Sequence, residues 1–171
     1  EPINLGESVN SKYWESQPSI SSNKDLLFFS SNRQGGLGKR DIWVCKRLGR
    51  YEWSSPYNLG VNVNTENDEI TPFIFYDTKT LYFASKGHIG MGGFDLYITT
   101  VDKDGYFSET KNLGYPINTW SDESSLIVSK NYSNGFFSSN RGNSKFPNLD
   151  LYFFDFPDEF KTNKIIELGG Q

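Results

Sequence analysis

Short, nearly continuous apolar runs alternate along the chain with polar, glycine-rich breaks, and no segment holds a helical period. "LLFFSSN" (26–32), "TLYFASK" (80–86) and "NGFFSSN" (134–140) are three such runs, each starting 54 residues after the last. Each leads through a polar loop to a second run: "DIWV" from Asp41, "DLYI" from Asp95 and, after one inserted residue, "DLYF" from Asp150. Runs this short and apolar on both sides of the pleat predict strands sandwiched between neighbouring sheets. In the middle unit Leu81 and Phe83 point to one face while Tyr82 and Ala84 point to the other. The pattern there predicts four strands, near 70–76, 80–85, 94–101 and 106–112, with "DKDG" (102–105) as a hairpin turn.

The repeat extends well beyond these runs. Asn-Leu-Gly occurs at Asn4, Asn58 and Asn112; Trp53 has Phe107 as its equivalent, and Gln17-Pro18 has Thr71-Pro72. The chain therefore divides into units 7–60, 61–114 and 115–169, preceded by 1–6 as the tail of another. A four-stranded unit whose faces are both apolar cannot bury itself, so units must stack. The fold class expected is all-β, with three four-stranded antiparallel blades of a β-propeller. Propellers close with about four to eight blades, so three leave an arc with two apolar ends. The ring would be completed by further blades or by a second copy, and the start in mid-unit favours preceding blades.

Composition narrows the partners. The net charge of −4 over 171 residues argues against nucleic acid, which requires a concentrated basic surface. No apolar run is long enough for a membrane-spanning helix, so no direct membrane insertion is expected. The lone Cys45 cannot form a disulfide within the chain.

Five constellations carry candidate chemistry. "SSNRQGGLGKRD" (30–41) suggests a phosphate cradle, but Lys39 is followed by Arg40 rather than Ser or Thr, and a strand follows instead of a helix. The glycines are better explained as a tight loop, pinned by Asp41, Asp95 and Asp150 accepting loop amides. Glu15, Glu69 and Glu123 recur ahead of each first strand. They suit cation binding or acid–base work, yet a residue present in every unit answers what every unit needs. The expected role is a structural anchor, taking backbone hydrogen bonds or pairing with Arg33 and Arg141. His88 has no second His or Cys to complete a zinc set, and Asp102 with Asp104 lacks the other ligands of a calcium loop. No cofactor, metal or catalytic residue is expected. Tyr106 and Trp120 are candidates for sugar stacking, with packing as the default explanation.

The run Pro-x-Ile-Ser, then Leu-Phe-Phe-Ser-Ser-Asn-Arg, a glycine-rich loop and Asp-Ile-Trp resembles the TolB-like, WD-type β-propeller repeat. "GHIGMGGFDLYI" (87–98) followed by "NLG…IN" (112–118) resembles the subgroup found in large Bacteroidota envelope proteins with a C-terminal OmpA-like domain. That resemblance implies a periplasmic, outer-membrane-associated scaffold, in some members part of the type IX secretion and gliding apparatus, binding envelope protein partners without catalysis. A WD-type arrangement would place Arg33, Arg40, Lys86, His88 and Arg141 on one loop face, a basic rim for an acidic partner. The alternatives are a glycan-binding propeller and a propeller attached to a hydrolase or peptidase.

Overall fold

A computed structural model describes residues 1–142 and 148–161. They form three antiparallel sheets, one per repeat, with no α-helix among the described residues. The first sheet runs β1 (Glu15–Ile20), β2 (Leu26–Ser31), β3 (Asp41–Lys46) and β4 (Tyr57–Asn58), in sequence order. The second repeats it as β5 (Glu69–Ile74), β6 (Thr80–Ser85), β7 (Asp95–Thr100) and β8 (Lys111–Asn112). The third comprises β9 (Glu123–Val128), β10 (Asn134–Ser139) and β11 (Asp150–Asp155). The repeat puts its fourth strand beyond residue 161, outside the described residues.

The fourth strand is shorter than the apolar pattern predicts. Val101 and Phe107 form only an isolated bridge, and pairing resumes at β8. Serine is the reason. The Ser108 hydroxyl accepts from the Thr100 amide at 3.1 Å, and Ser54 does the same for Lys46 at 2.9 Å. A side-chain oxygen thus takes a ladder donor, and the strand divides around it.

The second sheet lies between the other two: β5 packs on β1, β2 and β3, and β9 on β5, β6 and β7. Phe28, Ile42 and Val44 leave the front of the first sheet and meet Leu81, Phe83 and Tyr97 on the rear of the second. Tyr82, Leu96 and Ile98 then leave its front to meet Leu126, Val128 and Phe137 of the third. Phe75 stacks on Tyr132 across that second junction at 4.1 Å between ring centroids. Each large side chain buried this way contributes about 1.5–3 kcal/mol. This is why β6, embedded on both sides, is buried at all six positions.

Two local devices set the register between sheets. Each first strand carries a bulge at a non-glycine residue in the left-handed region: Gln17 (φ 58°), Thr71 (φ 50°) and Ser125 (φ 55°). Such a residue costs on the order of 1–2 kcal/mol. The bulge aims its side chain at the next sheet, where Gln17 Oε1 accepts from the Thr71 amide and Thr71 Oγ1 from the Ser125 amide, both at 3.0 Å. The Asn-Leu-Gly tripeptide is the second device. Its Asn side chain accepts from the Gly amide at 2.8, 2.9 and 2.7 Å in the three copies, and the glycine has positive φ each time. Only glycine takes that conformation without strain.

Close approach of one unit to the next demands glycine at another point. A methyl group on Gly92 would overlap the carbonyl oxygens of Thr119 and Ser121 and the backbone at Trp120. Backbone cannot swing aside as a side chain can, so Gly92→Ala should destabilise by roughly 1–3 kcal/mol. Chemical denaturation monitored by tryptophan fluorescence measures this; an unshifted midpoint would show the two units free to separate there.

Candidate functional site

The loops between second and third strands are tied down from within. Asp41 accepts from the Leu37 and Gly38 amides and from the Asn58 side chain. Asp95 accepts from the Met91 and Gly92 amides. The amides that a phosphate would need in "GGLGKRD" are therefore engaged by a carboxylate, and Lys39 is exposed beside them. Burial outweighs these bonds at Asp95 and pushes its pKa up. Asp150 is an exposed residue of β11, and the loop it was expected to pin includes 143–147, outside the described residues.

Each glutamate is the hub of a small polar cluster. Glu15 accepts from the Ser11 amide and hydroxyl, the Ser31 hydroxyl at 2.9 Å and Arg33 Nη2 at 3.0 Å. Glu123 accepts from the Thr119 amide and hydroxyl, the Ser139 hydroxyl and Arg141 Nη2, the last at 3.0 Å. Glu69 has the Thr65 amide and hydroxyl and the Ser85 hydroxyl, each at 2.7 Å. All three are anchors that join the connection between units to the end of the second strand. Among the described residues no group of His, Cys, Asp and Glu is disposed to hold a metal ion.

The middle cluster has no arginine. At the position equivalent to Arg33 stands Gly87, where a side chain would collide with Thr65. His88, one residue later, reaches into the same space. Arg33 donates to the Val9 carbonyl at 2.6 Å and Arg141 to that of Ile117, while His88 Nε2 lies 2.9 Å from the equivalent carbonyl, Val63. A carbonyl only accepts, so Nε2 carries the proton there. The aromatic surroundings match as well. Arg33 lies over Phe29 and Trp43, Arg141 over Phe137 and Tyr152, and the His88 ring against Phe83 and Tyr97. His88 does the work of an arginine here.

Of the residues expected on a basic rim, Arg33 and Arg141 are turned inward, while Arg40 and Lys86 keep 35% and 42% of their side chains exposed. The Arg33 and Arg141 side chains are only 10% and 18% exposed, with guanidinium groups spent on carboxylates and carbonyls. Arg40 pairs with Asp68 at 2.7 Å, and Lys86 lies 3.9 Å from Asp122 and over the Phe94 ring. The physical reason is that an arginine beside a buried carboxylate and two ring faces gains more there than in water.

What the loops do present is apolar. Ile89 is 97% exposed, Met91 49% and Trp120 80%, and they sit on two segments that touch where Gly92 packs on the backbone of 119–121. Leu37 stands at 47% on the equivalent loop of the first unit. The signal was present in the sequence: Ile and Met within a glycine-rich loop have no local partner to bury them.

No family model matches the chain, and no curated protein matches it. Among solved structures it is similar to an α-L-arabinofuranosidase from Lactobacillus brevis, with a TM-score of 0.56 and 13% identity. The likeness covers 90% of this chain and 53% of that one, so this chain spans about half the length of the enzyme it matches. At such identity the likeness speaks to fold alone.

Glu15 and Glu69 differ electrically. Burial raises the Glu15 pKa, but the Ser11 and Ser31 bonds and the Arg33 charge outweigh it, leaving the pKa lowered. Burial prevails at Glu69, which has no guanidinium, and its pKa is raised. For Glu15 the unfolded chain binds more protons between the folded pKa and about 4.3, so stability rises with pH in that window. Glu15→Gln should therefore destabilise at neutral pH, the deficit shrinking as pH falls through the folded pKa. Urea midpoints at pH 7 and pH 3 test the sign; a deficit equal at both would remove the ionised hub from the account.

Proposed function

We propose that the three sheets are blades of a β-propeller and that the chain is a non-catalytic, protein-binding scaffold. The ring reading is supported by the packing order, in which the front of the first sheet is covered by the rear of the second and the front of the second by the rear of the third. The observation that carries the binding reading is the apolar loop surface of Ile89, Met91 and Trp120. Exposed aromatic and aliphatic side chains on anchored loops mark interaction sites, since desolvating them on contact drives association. Support for a scaffold also comes from the repeated carboxylates, whose acceptor capacity is taken up by hydrogen bonds within the fold. The resemblance of the repeat to TolB-like envelope repeats supports a periplasmic site at the outer membrane, with envelope proteins as partners.

A second reading is favoured by one finding: a solved structure similar to this chain is a glycoside-cleaving enzyme by name. On that reading Trp120 is a sugar-stacking platform in a carbohydrate-binding or carbohydrate-cleaving protein.

Two measurements separate the readings. Trp120→Ala combined with Ile89→Ser should leave the fold and its melt intact while abolishing capture of a defined envelope protein retained by the wild type. Titration with arabino-oligosaccharides should leave tryptophan fluorescence unchanged and release no free sugar. Quenching that disappears in Trp120→Ala, or hydrolysis, would replace the scaffold with the carbohydrate reading.

A further inference from the structure

The turn between third and fourth strands changes its chemistry from unit to unit. In the second unit it carries Asp102 and Asp104, and the segment after β11 in the third carries Asp158 and Glu159. The first unit has Leu48, Arg50 and Tyr51 there. Asp102 has a structural task, since its carboxylate accepts from the Asp104 and Tyr106 amides, both at 2.9 Å. Leu48 stands in its place and can accept neither; it is 65% exposed, and Tyr51 beside it 53%. A hydrogen-bonded carboxylate has been exchanged for apolar area in water.

Cations surround this tip. Lys24, Lys46 and Arg50 are exposed, and none forms an ion pair with a carboxylate among the described residues. Arg47 lies over Trp53 and donates to the carbonyls of Lys24 and Arg50 at 2.7 and 3.0 Å, which fixes the turn after β1 against this one. The Arg50 guanidinium lies over the Tyr51 ring at 5.2 Å. Asp25 and Glu52 are the carboxylates on these two turns, so four cations stand against two anions in a chain of net charge −4. Other turns at the same end of the sheets bear exposed tyrosines, Tyr76 at 49% and Tyr106 at 74%. The antiparallel strand order puts this end opposite the loops of Ile89, Met91 and Trp120.

A lipid–water interface accepts this combination: an alkyl side chain enters the acyl boundary, tyrosine sits at headgroup level and unpaired cations meet the phosphates. An acidic protein would account for the cations alone. Its docking would call for one continuous apolar core ringed by polar groups, whereas these apolar side chains are spread singly over separate turns of one end. Salt screens charges beyond about 8 Å, so the acidic remainder of the chain does not cancel the attraction at this end. We infer that this end rests on an anionic lipid surface, with the 47–52 turn as its anchor. The chain is then peripheral, held by a turn and not by a spanning segment, and its apolar loops point away from the lipid. The inference needs neither the ring nor the loop surface, so its failure leaves both readings as they stand.

Co-sedimentation with vesicles tests it, using phosphatidylcholine alone and phosphatidylcholine mixed with phosphatidylglycerol. The chain should bind the mixed vesicles and not the neutral ones, and raised salt should release it. Lys46→Ala and Arg50→Ala should each weaken binding about fivefold. Leu48→Ser, which removes no charge, should weaken it roughly tenfold. All three side chains are exposed, so the thermal melt should stay in place. No binding to the mixed vesicles at low salt overturns the inference. So does binding that Leu48→Ser leaves unchanged, since charge alone would then hold the chain. Retention on immobilised polyglutamate without any on vesicles would assign the cations to an acidic protein instead.

Discussion

Everything in this fold depends on a buried carboxylate at the head of each first strand. Glu69 and Glu123 are fully buried, and Glu15 is nearly so. Each collects the amide and hydroxyl of a residue four positions earlier and the hydroxyl of a serine on the second strand. A carboxylate of this kind is costly to remove from water and stable only when its oxygens are satisfied. That demand dictates the conformation of the connection between units, and the connection in turn decides where the next sheet begins. The glycines of the preceding loop then have to lie against that connection, which is why a methyl group fits at neither Gly38 nor Gly92.

The middle unit shows how far this arrangement tolerates change. It loses the guanidinium that Arg33 and Arg141 supply, and the Glu69 pKa moves upward where that of Glu15 moves downward. Yet the carbonyl that the arginine would cap still has a donor, from a ring that fills the same space between two aromatics. Geometry is kept while the direct contact with the carboxylate is given up. The requirement common to all three units is thus a donor at the carbonyl and a flat group between two rings.

The 54-residue spacing made the sheets, their order and the doubly buried β2 and β6 legible, because burial on both faces leaves a continuous apolar run. The anchoring roles of Asp41, Asp95 and the three glutamates were legible for the same reason: they recur with the repeat. Four things were not. Thr71 at positive φ is invisible, since a β-branched residue is a poor candidate for that region and is held there by contacts with its neighbours. The short fourth strand was hidden because serine hydroxyls compete with the ladder, which apolar patterning does not register. The pairing of Arg33 and Arg141 with the glutamates was one of the two roles expected of them; the ring faces that flank each guanidinium were not foreseen. The clue was Ser31 and Phe29 beside one and Ser139 and Phe137 beside the other. His88 escaped comparison by columns because it stands one place later than the arginines it replaces.

Quasi-repetition also says which departures matter. A position that obeys the repeat is answering to a contact made in every unit, so its chemistry is explained once the contact is found. Arg40, Phe94 and Leu149 disobey it, as do Trp14, Asp68 and Asp122, and Arg40 and Phe94 meet the two aspartates across the junctions. Charge meets charge at the first junction, whereas at the second a backbone amide takes the place of the guanidinium. Trp14, where the other units have Asp, is met from inside the chain: the Arg40 guanidinium that pairs with Asp68 also lies over its ring at 5.8 Å. One cation thus serves a carboxylate and a ring face, so a departure from the repeat on one side is answered by a side chain already fixed on the other.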